Sequence, residues 1–161
     1  MAGKESARGP TAETVAANIT ALRESQNLNY TQVSERLSEV GRRISAVGVR
    51  RIESGDRRVD VDDLLAFALA LRTSPATLLM PGVDQVGPDD RVAVAEAGPV
   101  PEANDVWRWL TAQPAIDPAV NYLEFGARSW PQWVRVEVEK MHARIVDKVE
   151  VGMRKCDLVA E

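Results

Sequence analysis

Leu28-Asn29-Tyr30-Thr31-Gln32-Val33-Ser34-Glu35-Arg36-Leu37 and, after a short gap, Ile44-Ser45-Ala46-Val47-Gly48-Val49-Arg50-Arg51-Ile52-Glu53-Ser54-Gly55 decide the reading of this chain. Val33 and Leu37, four apart, predict the buried stripe of a short helix, with Asn29 suited to cap it. Ser45 is placed to cap a second helix that turns Val49 and Ile52 inward, and Gly55 is a fitting stop. Between Gly41 and Arg58 lie six arginines, Arg42, Arg43, Arg50, Arg51, Arg57 and Arg58, while the whole chain carries a net charge of −4. So dense a basic segment in an acidic protein marks a local site for a polyanion, because attraction to phosphate depends on the local patch and not on the overall sum.

Working outward, Val15, Ala16, Ile19 and Leu22 recur at helical spacing from Glu13, which predicts a first amphipathic helix. Downstream, Asp60 with Asp63 reads as a capping box that has Asp in place of Glu, opening a helix along Leu64, Leu65, Phe67, Ala68 and Leu71. Ser74-Pro75 supplies a cap and a first-turn proline for a fifth short helix, Ala76 to Leu79. Residues 1–12 read as a flexible lead, 13–81 as a five-helix domain, 82–104 as an acidic Pro/Gly-containing linker, with a short strand or helix around Val92 to Ala97, and 105–161 as a smaller helical region.

The charge divides unevenly: 11 Lys+Arg against 10 Asp+Glu through Gly82, then 9 against 14. No apolar run is long enough to span a membrane, the first residues lack the apolar core of a signal peptide, and a cytoplasmic location is expected. With Cys156 the only cysteine and His142 the only histidine, neither an internal disulfide nor the usual zinc cage is available, and no metal or other cofactor is expected. Enzyme chemistry finds no footing. Asp62-Asp63 and Asp89-Asp90 are explained by capping and solvation, the serines lack a partnered histidine, and no glycine-rich phosphate loop follows a strand.

The order of these elements, with Arg51-Ile52-Glu53-Ser54-Gly55, Leu64-Leu65-Ala66-Phe67-Ala68-Leu69-Ala70-Leu71 and Ser74-Pro75-Ala76-Thr77-Leu78-Leu79, resembles the Cro/C1-type (XRE, lambda repressor-like) helix-turn-helix family over roughly Val15 to Pro81, about half the chain. The resemblance implies an all-α protein and a transcriptional regulator, a repressor by family habit, that binds a double-stranded DNA operator as a homodimer. It implies that the helix from Ser45 to Gly55 enters the major groove with Ala46, Val47, Arg50 and Arg51 facing bases, Arg51 as the guanine reader, and Ala46 and Val47 meeting thymine methyls. Tyr30, Arg42, Arg43, Ser45, Arg57 and Arg58 are the expected phosphate ligands. Arg23 and Glu53 match the family's structural ion pair.

Two departures stand out. Tyr30 occupies a position often held by Gln, so either its hydroxyl meets phosphate or its ring joins the core. The connector is about five residues longer than the usual tight turn, and Arg42 and Arg43 in it either reach the DNA backbone or face solvent. Arg36 and Arg72 read as solvated surface charges.

All four tryptophans, Trp107, Trp109, Trp130 and Trp133, fall after residue 104. Core filling of a small subdomain is the favoured reading, with a ligand pocket or an interface as the alternatives. A last helix from Trp130-Pro131 carries Val134, Val138, Met141, Ile145 and Val149 on one face. With Trp130 and Trp133, that stripe is the candidate dimer or partner interface. The rival to an operator-binding regulator is therefore an antitoxin-like or adaptor module that grips a protein partner through this region; a regulator responding to a small-molecule effector is a further alternative.

Overall fold

The computed structural model describes residues 9–157 apart from 97, 99, 114, 115 and 118, with side chains in the last helix described through Ile145. Among the described residues eight helices follow one another: α1 (Pro10–Ser25), α2 (Tyr30–Glu39), α3 (Ala46–Glu53), α4 (Val61–Ala70), α5 (Pro75–Leu79), α6 (Ala103–Leu110), α7 (Tyr122–Ser129) and α8 (Gln132–Asp157). The protein is all-α among the described residues, with one isolated antiparallel bridge between Arg91 and Glu102. It divides into two compact units, 1–111 and 112–161.

In the first unit, α1 to α5 enclose Val15, Ile19, Leu28, Val33, Leu37, Ile44, Val49, Ile52, Phe67, Leu71 and Leu78. Each helix begins where local chemistry lets it. Asn29 accepts from the Gln32 N–H while the Gln32 side chain accepts from the Asn29 N–H, a reciprocal box that satisfies two otherwise orphaned donors. Ser45, Asp60 and Ser74 cap α3, α4 and α5 through the Gly48, Asp63 and Thr77 N–H groups. α1 starts at Pro10, a turn earlier than the Glu13 start expected, because Pro10 sits at its first helical position and its preset φ suits it to open the helix. The expected lead thus ends before Pro10, and residues 1–8 lie outside the described residues.

Four helices close with paired bonds around a left-handed residue. For α2 the Gly41 and Arg42 N–H groups donate to Ser38 and Leu37; for α4 the Arg72 and Thr73 groups donate to Leu69 and Ala68. The left-handed positions are Asn27, Gly41, Gly55 and Arg72.

Asn18, buried in α1, spans the fold. Its Nδ2 lies within hydrogen-bonding distance of the Thr77, Leu78 and Met80 carbonyls, tying α1 to the end of α5. Gln26 donates to the Leu71 carbonyl and accepts from Arg36, which also reaches the Ala70 carbonyl. Arg36 is thus a half-buried tie between the ends of α1, α2 and α4, where the sequence suggested a solvated charge.

The expected linker is folded along its described length. The Val92 N–H donates to Pro101, Ala103 to Asp90 and Asn104 to Pro88, with Val92 buried. The Thr11 hydroxyl donates to the Val94 carbonyl, pinning this loop to the start of α1. Apolar side chains and backbone bonding outweigh the Pro/Gly composition that suggested a tether; Ala97 lies outside the described residues. α6 buries Ala103 and Val106 and leaves Trp107 and Trp109 exposed, so these two tryptophans do not fill a core.

The second unit contains α7, which the sequence did not suggest, and α8. Gly126 reads as a helix breaker, yet it lies inside α7 because a methyl there would come 2.4 Å from the Trp130 ring. Trp130 also meets Tyr122 edge-on at 4.9 Å and donates its indole N–H to the Ala112 carbonyl. Trp130, expected at the interface, is thus half-buried and packed within its own unit. Trp133, Met141 and Ile145 are exposed and Val134 and Val138 half-buried, while the Val149 side chain lies outside the described residues.

Candidate nucleic-acid interface

α3 is an eight-residue helix with two unlike faces. Val49 and Ile52 are fully buried, whereas Val47 is 68% exposed and Arg50 and Arg51 project from the same outward side. Ala46 is half-buried at the first turn, and the Ser45 hydroxyl, exposed, is occupied in capping. Burial sets this orientation: the apolar 49 and 52 positions turn inward, which forces 47, 50 and 51 outward.

The connector from Val40 to Ser45 is structured. Gly41 takes the left-handed turn that closes α2, Ile44 inserts into the core, and Ser34 donates to the Ile44 carbonyl at 2.6 Å. Gly48 is needed for this path, because a Cβ there would lie 2.9 Å from the Ile44 side chain and 3.3 Å from an Arg57 guanidinium nitrogen. Sequence reasoning missed Gly48, since a glycine inside a helix signals a close approach without saying to what.

Arg42 and Arg57 converge on Asp63, which is 1% exposed. Arg42 Nε donates to one carboxylate oxygen at 2.6 Å and Arg57 Nη2 to the other at 3.0 Å. Arg42 also donates to Asp60 at 2.6 Å. These bonds clamp the connector and the segment after α3 onto the first turn of α4. Arg42 and Arg57, expected at phosphate, are thus also hydrogen-bonded to a buried carboxylate, whose lost hydration they help to offset. The Asp63 carboxylate does not complete a reciprocal box with Asp60; it serves the two arginines. Asp63 holds the Arg42 proton more tightly than usual, and the N–H of residue 63 holds the Asp60 carboxyl below its ordinary range.

Arg23 and Glu53 form a two-bonded pair at 2.7 and 2.9 Å, largely buried, with the Arg23 guanidinium 4.6 Å above the Tyr30 ring. The hydrogen bond to Glu53 raises the Arg23 pKa well above its usual value. Tyr30 packs partly into the core under this pair, so its ring belongs to the scaffold. Glu53 and Asp63 are turned inward and Asp60 is bonded to Arg42, leaving Arg43, Arg50, Arg51 and Arg58 exposed and Asp56 the exposed acid beside them. The surface beside α3 thus keeps its excess of positive charge after the inward-facing carboxylates have taken their partners.

Among the described residues no cluster of His, Cys, Asp and Glu is arranged to hold a metal ion, and no helix is long and apolar enough to cross a membrane.

A five-helix domain that buries one face of a capped third helix and presents the other as a basic, partly apolar ridge has the architecture of a helix-turn-helix domain. Residues 19–78 match the helix-turn-helix family model. These residues form a Cro/C1-type, XRE-family helix-turn-helix domain, a kind of domain found in DNA-binding regulators. Neither curated proteins nor solved structures gave a match to the chain.

Proposed function

We propose that this protein is a sequence-specific regulator of transcription that places α3 in the major groove of an operator and represses the adjacent promoter. The observation that carries the reading is the outward face of α3, where an exposed valine lies beside Arg50 and Arg51 while the acidic neighbours Glu53 and Asp63 are buried in ion pairs. Arg51 reads guanine through its paired N–H groups, Ala46 and Val47 meet thymine methyls, and Arg50 contributes a weaker base contact. Arg43, Arg58, the Ser45 hydroxyl and the Tyr30 hydroxyl contact phosphate, setting affinity and salt dependence rather than sequence choice. Arg42 and Arg57 act through Asp63 by holding the connector and the α3 exit in place.

Selection of bound sequences from a random duplex pool tests this directly and reveals half-site symmetry. Arg51→Ala is expected to relax preference at one base position by roughly 5- to 150-fold, the equivalent of about 1–3 kcal/mol. A pool that yields no enriched sequence, or an unchanged preference in the Arg51 variant, refutes the assignment.

The protein acts as a homodimer through α8, whose Trp133, Met141 and Ile145 are exposed in a two-helix unit too small to bury them. Sedimentation that finds a monomer at micromolar concentration, with and without operator DNA, overturns this. The same exposed surface favours a second reading, an adaptor or antitoxin-like module whose α8 grips a different protein; a stoichiometric partner that co-purifies with the full chain and is lost with Trp133→Ala distinguishes it.

A further inference from the structure

α4 carries a second apolar stripe that faces outward. Val61, Leu65 and Leu69 are 75%, 49% and 65% exposed, while Ala66, Phe67, Ala68 and Ala70 of the same helix are buried. Four-residue spacing puts the three on one line along the helix. The line is symmetric about Leu65, with a residue four positions away on either side. Asp62, 81% exposed at its side chain and 3.9 Å from Arg42, lies at the beginning of α4, and exposed Arg72 just past its end.

We propose that this face pairs with the same face of a second copy of the chain, antiparallel, about a two-fold axis through Leu65. In that arrangement Leu65 meets Leu65 of the partner, Val61 meets the partner's Leu69, and the acidic start of each α4 lies toward the basic end of the other. A self-complementary patch of this kind is what a two-fold contact requires. Nucleic acid is a poor occupant, because the three side chains along the face are aliphatic and offer phosphate no donor. Three aliphatic side chains fall far short of the roughly 800 Å² that each partner buries in a stable interface. The contact is therefore weak and operates where two chains are already close, at neighbouring half-sites or joined through α8; in that respect it builds on the operator-binding reading, although its geometry stands independently of it.

Cysteine cross-linking of the full chain tests the register. In a Cys156→Ser background, Leu65→Cys should form disulfide-linked dimers at least about tenfold faster than Val47→Cys, a comparably exposed position outside the proposed contact. Val61→Cys mixed with Leu69→Cys should cross-link faster than either variant alone. Run as a concentration series without DNA, the experiment remains informative even if operator binding fails. Leu65→Cys reacting no faster than Val47→Cys overturns the pairing, and Val61→Cys alone matching the mixture overturns the antiparallel register. Protection of Leu65→Cys from alkylation at every concentration, without dimer formation, assigns the face to another segment of the same chain and also overturns the pairing.

Discussion

Replacing Asp63 with Ala should lower the stability of the DNA-binding domain by about 3 kcal/mol, a figure set by two charge-assisted bonds worth roughly 1.5–3 kcal/mol each. The low end applies because Arg42 and Arg57 keep side-chain exposures of 33% and 38% and can rehydrate once the carboxylate is gone. Removing a buried charge also recovers part of its desolvation cost. The Asp63 N–H keeps its bond to Asp60, so the α4 cap itself survives the substitution. Against a total of roughly 5–15 kcal/mol for a domain, such a loss is large enough to read from urea denaturation. The loss should shrink when Arg42 and Arg57 are already Ala, because the interactions being removed are shared. A loss below about 1 kcal/mol, or one unchanged in the triple variant, refutes the view that Asp63 clamps the connector. Arg57→Ala should destabilise the fold while leaving the salt dependence of DNA binding nearly unaltered; a slope smaller by about one counterion would return Arg57 to the phosphate ligands.

Gly48→Ala gains helix propensity of about 1 kcal/mol but crowds Ile44, and overpacking typically costs 1–3 kcal/mol, so a net destabilisation of about 1 kcal/mol is expected in denaturation; a stabilised variant would refute the close-approach requirement. Asp60, whose carboxyl is held below its ordinary value by the residue-63 N–H, contributes stability that is present above about pH 3.9 and is lost as pH falls through the lower folded value. Asp60→Asn retains a capping side chain, and its urea midpoint should depend less steeply on pH between about 4 and 2. Equal steepness in the two proteins would refute that role. In the second unit, Gly126→Ala should expel the Trp130 ring, read as a red-shifted emission in a variant whose only tryptophan is Trp130; unchanged emission would show that the ring does not rest on this glycine.

Much of the first unit was legible locally. Asn29, Ser45, Asp60 and Ser74 each precede an apolar pattern and cap the next helix, and those contacts span only three residues. The 49/52 spacing showed which side of α3 turns inward, and hence that Arg50 and Arg51 face away. The partners of Arg42, Arg57 and Arg36 were not legible. Arg42 lies 21 residues from Asp63, and nothing in either neighbourhood distinguishes a clamped arginine from a solvated one. Composition misled at 82–104, where prolines and glycines punctuate a loop closed by backbone bonds and by buried Val92. It misled again at Gly126, a glycine retained inside a helix to receive an indole ring.

The sequence by itself determined the order of the five helices, their caps and the outward face of α3, because each depends on residues within about a turn of one another. Only the tertiary structure decided which charges belong to the scaffold. Glu53 and Asp63 are buried and must be paired, so they draw Arg23, Arg42 and Arg57 inward and leave the remaining arginines beside α3 at the surface, an allocation made by desolvation across distant segments and invisible to any local pattern.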